Sequence, residues 1–339
     1  MPEPPLKSLC PRLQKIRDMR SNFLFPPGRP AVAPESPSSP WQRLDDHPAV
    51  VEQRERDGHG ERIKSLTAHG GLIVAGIGDW NANSGPVGVA AWNLATLDPD
   101  TSGPGSIPTE AVDVWRVVGG RLYGPWADPR AGWREPSGIT RQNAYGVWDT
   151  MSLPPMVHVL DVDTLDGMLA VAGSGYTANS PHVVVAVVYV SRDAGRTWTV
   201  GRETPTRAGT TVGRYRWIRA FHGRLWVGGP DGIESSADGI TWTAHPDMPS
   251  DTQSYAHHIH ATAEALHGAG WMWNSRTVAP APGTPLSVSG GVVVRVHNGV
   301  AIWGSETVTL PPQTTAAART PDGRWWAGTQ RGEVFVLEV

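Results

Sequence analysis

The sequence predicts an all-β fold, a six-bladed β-propeller whose N-terminal strand closes the last blade and which follows an extended N-terminal arm. Two observations predict this fold. First, a β-rich unit recurs, in which a strand, a turn carrying Gly or Asp, and a second strand ending in small residues follow one another. Second, no long amphipathic helices alternate with the strands, as an α/β fold would require. The six units begin at Ile63, Val112, Val159, Tyr215, Ile259 and Thr315.

The ends of the units predict how the ring closes. The sixth unit stops at Val339 with only three strands. The segment 40–48, around Trp41, resembles the outer strands of the other units, so we expect it to complete the last blade and cover an exposed sheet edge. The propeller then spans residues 41–339. The outer strands begin at Trp residues that we expect to wedge between blades: Trp148, Trp198, Trp242 and Trp303, with Trp92 as the weakest member.

Composition favours one large all-β domain. The 339 residues include 39 Gly, 31 Pro and 16 Trp, and the material is ample for a core. The alternative architectures are a β-sandwich array and two separate all-β domains. Because Cys10 is the single cysteine, an internal disulfide framework is excluded, and the fold depends on packing alone.

Charge and hydropathy exclude several classes of partner. A formal net charge of −3 provides no general attraction to nucleic acid or to an anionic membrane. The N-terminus lacks the uninterrupted apolar segment of a secretory signal, and no later segment is long enough to span a bilayer. We therefore expect a protein that is made in the cytoplasm without a signal peptide, does not insert into membranes and does not bind nucleic acid.

Residues 1–40 lie outside the repeats and form a Pro-rich and Ser-rich arm with a short helical pattern. The arm carries two apolar groups, one at helical spacing and one in an extended strip followed by two prolines. We interpret these residues as a peptide for a groove on a neighbouring subunit. A disordered tail is the alternative. The apolar residues of this partner-binding arm are Leu13, Ile16, Met19, Phe23 and Phe25.

Two hairpins carry a shared pattern of Ser, Asp, Gly and Trp. The first reads S-x-D-x-G-x-T-W and the second is one residue shorter; a degraded third copy is expected at 297–303. The pattern resembles the Asp-box, or BNR, turn of sialidase-like β-propellers. Asp and Ser oxygens can accept backbone N–H groups there, and Gly takes the positive-φ position, so the turn has a structural role. Its residues are Ser191, Asp193, Gly195 and Trp198, then Ser236, Asp238, Gly239 and Trp242.

The resemblance implies the fold but not the activity. Sialidases carry an F/Y-R-I-P signature, an arginine triad and a Tyr paired with an acid, and this sequence lacks that signature. Several arginines, including Arg216 and Arg219, can supply positive charge, yet no spacing ties them to a Tyr–Glu pair. We therefore expect no catalytic residues.

Ligand-binding residues are expected on the face that gathers the loops between second and third strands. A Trp platform beside Asp and Asn side chains suits sugar stacking and hydroxyl hydrogen bonds. Structural packing explains any single one of these residues equally well. The candidates are Asp79, Trp80, Asn81, Asn83, Trp126, Asp128, Arg130, Tyr176, Asn274 and Arg276.

Metal binding is left open by the residues. His258 and His260 share one face if their segment is a strand, which is a geometry that metal sites use, but no third ligand can be named. Asp79, Asp128 and Asp231 occupy equivalent loops and suggest an acidic ring, although Asp is also a common turn residue. No Walker loop, GxSxG elbow or HExxH motif occurs, and we expect no cofactor.

The function that these features favour is a non-enzymatic structural or adhesion module. A bacteriophage tail or other virion protein fits best, since such subunits are made without signal peptides, use propellers for host attachment and are joined by extended arms. Its partners are then other subunits and a surface glycan. The alternatives are a hydrolase or lyase acting on a glycan, and a cytosolic scaffold resembling the Asp-box assembly factors.

Overall fold

Seven four-stranded antiparallel sheets, one more than the six expected, form the fold in the computed structural model. Consecutive sheets contact one another through their first strands, and the seventh also contacts the first, so the sheets form a ring. The protein is a seven-bladed β-propeller. The structure describes residues 40–56, 60–79, 85–129, 137–143, 145–177, 180–206, 213–249, 255–274 and 276–338.

A short strand and a helix precede the first blade. They are β1 (Gln42–Arg43) and α1 (Pro48–Arg56). Pro48 suits the first turn of a helix, where its missing N–H is not needed, and the ring of His47 accepts the N–H of Ala49. Val50 and Gln53 are fully buried, so α1 packs on the propeller rather than extending into solvent.

The first two blades follow directly. Blade 1 departs from the simple meander because its short fourth strand pairs with the second strand and not with the third. Blade 2 is a regular four-stranded meander. Their strands are β2 (Ser65–His69), β3 (Leu72–Gly78), β4 (Ala90–Asn93), β5 (Ala111–Val112), β6 (Arg116–Val118), β7 (Arg121–Pro125), β8 (Gly138–Gln142) and β9 (Trp148–Ser152).

Blades 3 and 4 are four-stranded meanders, and blade 3 has the longest strands. Blade 3 has strands of ten and twelve residues at its centre, rich in Val and Ala, as expected for a sheet buried on both faces. The strands of the two blades are β10 (Met156–Leu165), β11 (Met168–Thr177), β12 (Ser180–Ser191), β13 (Thr199–Thr204), β14 (Trp217–Phe221), β15 (Arg224–Gly229), β16 (Gly232–Ser236) and β17 (Thr243–Ala244).

The last three blades have shorter strands. A 3₁₀ helix, Ala256–His258, precedes blade 5. The strands are β18 (His260–Ala261), β19 (Leu266–Gly268), β20 (Trp271–Trp273), β21 (Val278–Pro280), β22 (Thr284–Ser289), β23 (Val292–His297), β24 (Val300–Trp303), β25 (Glu306–Thr309), β26 (Thr314–Arg319), β27 (Trp325–Thr329) and β28 (Val334–Leu337).

The predicted number of blades is wrong because the interval 259–315 holds two compact blades and not one. Blade 5 occupies 260–280 and blade 6 occupies 284–309. Two-residue turns at Gly290 and Gly291, and at Asn298 and Gly299, all with positive φ, let blade 6 fit into few residues. The turn at 297–300 therefore joins the second and third strands of blade 6, and it is not a third copy of the 191–198 turn.

The ring closes as the sequence predicts. β1 pairs antiparallel with β28, with Gln42 opposite Val336 and Arg43 opposite Phe335. Trp41 is buried and its indole Nε1 donates a hydrogen bond of 2.9 Å to the carbonyl of Thr309 in blade 6. Residues from the two ends of the described chain thus form one sheet, which a single-chain propeller needs to avoid an open edge.

Trp residues at the start of three outer strands pack against the preceding blade, as expected for wedges. Trp148 contacts the core of blade 1, and its ring centroid lies 5.7 Å from that of Trp115. Trp198 packs on the core of blade 2. Trp242 donates from Nε1 to the carbonyl of Gly201 in blade 3 at 2.9 Å. Trp92 and Trp303 lie instead in the third strands of blades 1 and 6, so the expected place of both in outer strands is wrong.

Two turns, which we call the S-x-D turns, at 191–198 and 236–242, make the hydrogen bonds expected for that pattern. Asp193 Oδ1 accepts the N–H groups of Arg196 at 3.0 Å and Thr197 at 2.8 Å. Ser191 Oγ accepts the N–H of Gly195, whose φ is 86°. These bonds hold the pKa of Asp193 well below its usual range. The equivalent bonds of the second turn are Ile240 N and Thr241 N to Asp238 Oδ1, and Gly239 N to Ser236 Oγ.

We predict that Trp41→Ala lowers the free energy of unfolding by about 3–5 kcal/mol, because the substitution leaves a cavity in the closing sheet and removes the bond to Thr309. The control is Gln42→Ala, at the exposed next position in β1, which should cost less than about 0.5 kcal/mol. Urea unfolding measures both. Equal effects of the two substitutions would show that the closing strand adds stability through its backbone alone.

Candidate functional site

The two faces of the ring carry different connections. The upper face holds the loops between second and third strands, such as those after β3 and β7. The lower face holds the turns between first and second strands and between third and fourth strands, including the S-x-D turns. Loops of propellers and other scaffolds carry most functional residues, and most of the longer loops of this ring lie on the upper face.

On the upper face, three carboxyl groups of blades 1 and 2 form a cluster that we call the acidic corner: Asp79, Glu110 and Asp128. The backbone joins two of them, since the N–H of Glu110 donates to the carbonyl of Asp128 at 2.9 Å. Burial, followed by the charges of Asp128 and Asp79, raises the pKa of Glu110 from its usual 4.5 to about 7. One carboxyl of the corner therefore holds a proton near neutral pH.

Asp128 also belongs to a second, buried cluster, which lies between blades 2, 3 and 4. Its Oδ2 lies 3.3 Å from His158 Nε2, and His158 Nδ1 lies 2.6 Å from Ser174 Oγ. Arg214 also contacts the imidazole, at 3.3 Å. Burial lowers the pKa of His158, and the charge of Arg214 adds to this effect. The residues are those of a Ser–His–Asp triad, but Ser174 is fully buried and presents no nucleophile to a substrate.

Trp126 and Tyr176 lie on the same side of the ring as the acidic corner. The Trp126 ring is buried, 8% exposed, and its Nε1 donates to Thr140 Oγ1 at 2.9 Å, so its contacts are those of a packing residue. Tyr176 is half-buried near the end of β11, and its backbone accepts a bond from the Tyr189 hydroxyl.

Several expected residues lie outside the described residues. They are the ligand candidates Trp80, Asn81, Asn83 and Arg130, and the arm residues Leu13, Ile16, Met19, Phe23 and Phe25. The first four belong to segments that follow β3 and β7, next in sequence to the acidic corner.

Asn274 and Arg276 are on the opposite face from the one expected. The prediction treats Trp271–Trp273 as a second strand, but this segment is the third strand of blade 5, so the turn after it belongs to the lower face. Asn274 Oδ1 accepts the N–H groups of Arg276 at 3.2 Å and Thr277 at 3.0 Å. The N-x-x-T sequence thus forms an Asx turn equivalent to D-x-x-T in the second S-x-D turn. Arg276 is exposed.

The histidine pair is not arranged as expected, because His257 and His258 belong to the 3₁₀ helix and only His260 begins a strand. His260 Nε2 lies 3.0 Å from the carbonyl of His257. Burial lowers the pKa of both His257 and His260 well below the usual value, so these imidazoles are neutral. Across the described ranges, no group of three or more His, Cys, Asp or Glu side chains could hold a metal ion, whether at the histidines or around Asp231.

A Tyr–Glu pair that the sequence did not indicate lies between blades 3 and 4. The Tyr215 hydroxyl donates to Glu234 Oε2 at 2.8 Å, and Arg202 Nη2 donates to Glu234 Oε1 at 2.8 Å. Tyr215 is 1% exposed and Glu234 is 5% exposed. Burial raises the pKa of Tyr215 above its usual range, which is opposite to the change that activates a nucleophile.

The fold and these contacts define a β-propeller whose described polar clusters lie mainly between blades. Among the described residues, no helix is long and apolar enough to cross a membrane. No protein-family model matches the sequence, and no curated protein sequence matches it significantly.

Solved structures do resemble the chain. The WD40 domain of Neurospora crassa Pan2 matches with a TM-score of 0.52 and 10% identity, over 87% of this chain and 94% of that one. The WD40 propeller of Doa1 matches with a TM-score of 0.47, 9% identity and coverages of 88% and 95%. The Hadza microbial sialidase Hz136 matches with a TM-score of 0.44 and 13% identity, over 84% of this chain and 66% of that one. At these identities, the match to Pan2 shows the propeller fold alone.

We predict that the acidic corner makes stability fall as pH rises. The pKa of Glu110 is raised to about 7 in the folded state. The contribution of Glu110 to the free energy of unfolding is therefore complete below pH 4.5 and is lost as the pH increases through 7. Glu110→Gln, which cannot ionise, should reduce the loss of unfolding free energy between about pH 5 and about pH 8. Urea unfolding at both pH values measures the free energy of unfolding of the wild-type chain and of the variant.

The control for this experiment is Glu264→Gln, at an exposed position in blade 5. This variant should keep the pH dependence of the wild-type chain. If Glu110→Gln also keeps it, Glu110 is ionised in the folded state, and the acidic corner does not retain a proton.

Proposed function

We propose that the chain is a non-enzymatic structural or adhesion subunit of a larger assembly, specifically a bacteriophage tail component. In this proposal the N-terminal arm, residues 1–40, anchors the subunit to its neighbours. The loops of the upper face then bind a glycan on the host surface.

One observation carries the non-enzymatic part of the proposal: the chemically suggestive groups are used between blades. The Ser174–His158–Asp128 cluster joins blades 2 and 3, and its serine is fully buried. The Tyr215–Glu234 pair, with Arg202, joins blades 3 and 4 and is equally enclosed. Buried polar groups of this kind are satisfied by each other and make the packing between blades specific.

The place where the arm leaves the propeller supports the role of an anchor. Pro40 leads directly into β1, and β1 is the outermost strand of blade 7. Pro40, the first residue that the structure describes, is therefore next in sequence to the outer strand of blade 7, and the chain continues from there into the arm. Its apolar residues, including Phe23 and Phe25, are suited to a groove of such a partner.

A second candidate function, glycan hydrolysis, is favoured by the acidic corner alone. Glycosidases use one protonated and one ionised carboxyl group, and Glu110 with its raised pKa lies beside Asp128. The candidate assigns the role of general acid to Glu110. Unlike the first proposal, this second candidate function requires the protein to hydrolyse a glycan catalytically.

We expect the arm to determine assembly. Replacing Phe23 and Phe25 by Asp should reduce incorporation of the subunit into particles at least about tenfold, because buried aromatic anchors dominate such contacts. The matched control places two Asp residues at Ser38 and Ser39 of the same arm. Quantitative immunoblots of purified particles, with the variant as the sole copy, provide the measurement. Wild-type incorporation of a chain that lacks residues 1–39 would refute the anchor.

The two candidate functions separate in a turnover assay. The full chain, incubated with a panel of sialylated and neutral oligosaccharides, should release no sugar at acidic or neutral pH. Hydrolysis that is lost in Glu110→Gln but kept in Tyr215→Phe would establish the second candidate at the acidic corner. Hydrolysis lost in Tyr215→Phe alone would assign it to the Tyr–Glu pair, and either result would overturn the non-enzymatic proposal.

A further inference from the structure

The central channel contains a cavity of about 490 Å³ that opens on the lower face. Residues of all seven first strands line it, and those nearest the lower face, such as Ala68, Val118 and Gly290, lie beside the turns between first and second strands. This volume is within the range of about 300–1,000 Å³ that is typical of small-ligand sites. The acidic corner belongs to the opposite face and takes no part in this cavity.

The segment 255–259 crosses the channel above the cavity. It precedes blade 5, but Arg116 of blade 2, on the opposite side of the ring, donates from Nη2 to the carbonyl groups of Ala256 and Ile259. Arg219 of blade 4 donates from Nε to the carbonyl of Ile259 at 3.0 Å. The cavity therefore has one open end and one end closed by backbone.

Two arginines that line the cavity, Arg116 and Arg219, share one fully buried carboxylate behind its wall. Asp161 Oδ1 accepts from Arg116 Nε at 3.0 Å, and Asp161 Oδ2 accepts from Arg219 Nη2 at 2.5 Å. The N–H of Ile218, at 3.1 Å, also donates to Asp161. Two positive charges and one negative charge leave a surplus of one positive charge in a place with little solvent.

The neighbouring ionisable groups cancel this surplus only in part at neutral pH. Asp163 lies 3.3 Å from Arg219 Nη1, and burial raises the pKa of Asp163 to about 7, so its carboxyl is partly protonated and partly ionised there. His260 is neutral because burial lowers its pKa. Arg319, at the cavity mouth, pairs with Glu306 at 3.1 Å and stacks on Trp303.

The guanidinium groups of Arg116 and Arg219 differ in how many of their nitrogens donate hydrogen bonds to the protein. All three nitrogens of Arg219 donate hydrogen bonds to the protein. Arg116 donates from Nε and Nη2, whereas its Nη1 makes no hydrogen bond to any part of the chain that the structure describes. Arg116 is 8% exposed and lines the cavity. A guanidinium with unused donors in such a place favours an anionic acceptor.

The wall across the cavity from Arg116 comes from blade 6, where the apolar side chains Leu286 and Val288 alternate with Ser287 and Ser289. A ligand that fills the cavity thus meets one charged wall and one partly apolar wall. A single surplus charge matches a monoanion better than a phosphate monoester, which carries about −1.5 to −2 at neutral pH.

We infer that the lower mouth of the channel binds a small amphipathic carboxylate, whose oxygens accept from Arg116 Nη1 and whose apolar part lies on Leu286 and Val288. Among the described residues, none from the loops between second and third strands lines this site. The site is therefore distinct from the upper-face loops to which the proposed function assigns a glycan.

The test is binding of hexanoate and benzoate to the full chain, measured by titration calorimetry and ligand-observed NMR. Hexanamide and inorganic phosphate are the probes for a neutral head group and for a dianion. Hexanoate should bind with a dissociation constant near or below about 1 mM, and hexanamide at least about tenfold more weakly. Equal binding of hexanoate and hexanamide, tighter binding of phosphate, or no binding of either carboxylate would overturn the inference.

A pair of matched variants locates the site. Val288→Trp fills the mouth from a 40% exposed position, and Val292→Trp adds the same side chain at a 38% exposed position of the next strand, away from the cavity. Val288→Trp should raise the dissociation constant for hexanoate at least about tenfold, and Val292→Trp should leave it unchanged. Circular dichroism verifies that both variants fold.

Should Val288→Trp not fold, Arg116→Lys provides the second test, since it keeps the charge but removes Nη1. Binding that neither Val288→Trp nor Arg116→Lys weakens would place the ligand elsewhere and overturn the inference.

Discussion

The pairing of β1 with β28 is the constraint on which the whole ring depends. Each blade pairs strands within its own sheet, so a propeller made from one chain has two free ends unless residues distant in sequence share a sheet. Gln42 and Arg43 supply that shared strand, and the bond from Trp41 to Thr309 connects it to the preceding blade. Because the ends are joined, opening any contact between two blades disturbs the entire ring.

Charged groups near the axis add a second kind of connection between blades. Arg116 in blade 2 and Arg219 in blade 4 share Asp161 in blade 3, and both reach the carbonyl of Ile259 before blade 5. Four consecutive elements are thus joined by hydrogen bonds where the first strands are closest. Buried ion pairs of this kind add little net stability, since desolvation offsets their attraction, but they select one arrangement of the blades.

Predictions from the sequence succeeded where a local pattern specifies a local structure. The bonds of Asp193 within its turn depend on residues four positions apart, and Trp198 and Trp242 pack on the preceding blade in the manner expected of an outer strand. The prediction failed for blade 5, where strands of two or three residues have no recognisable period. Taking Trp271–Trp273 as a second strand then displaced Asn274 and Arg276 to the wrong face and concealed blade 6.

The candidate sites show the same division. Asp79 and Asp128 are visible in the sequence as loop residues after a strand, but Glu110, which completes the acidic corner, lies at the end of the long connection between the third and fourth strands of blade 1 and carries no motif. Likewise, no spacing relates Tyr215 to Glu234, or Arg116 to the carbonyl of Ile259, since their contacts join different blades. By itself, the sequence determined the repeated antiparallel sheets, the structural turns and the closing strand, because these follow from short-range hydrogen bonding and side-chain alternation. Only the tertiary structure decided the number of blades, the face on which each residue lies and the charge within the channel, because these depend on distances between residues far apart in the chain.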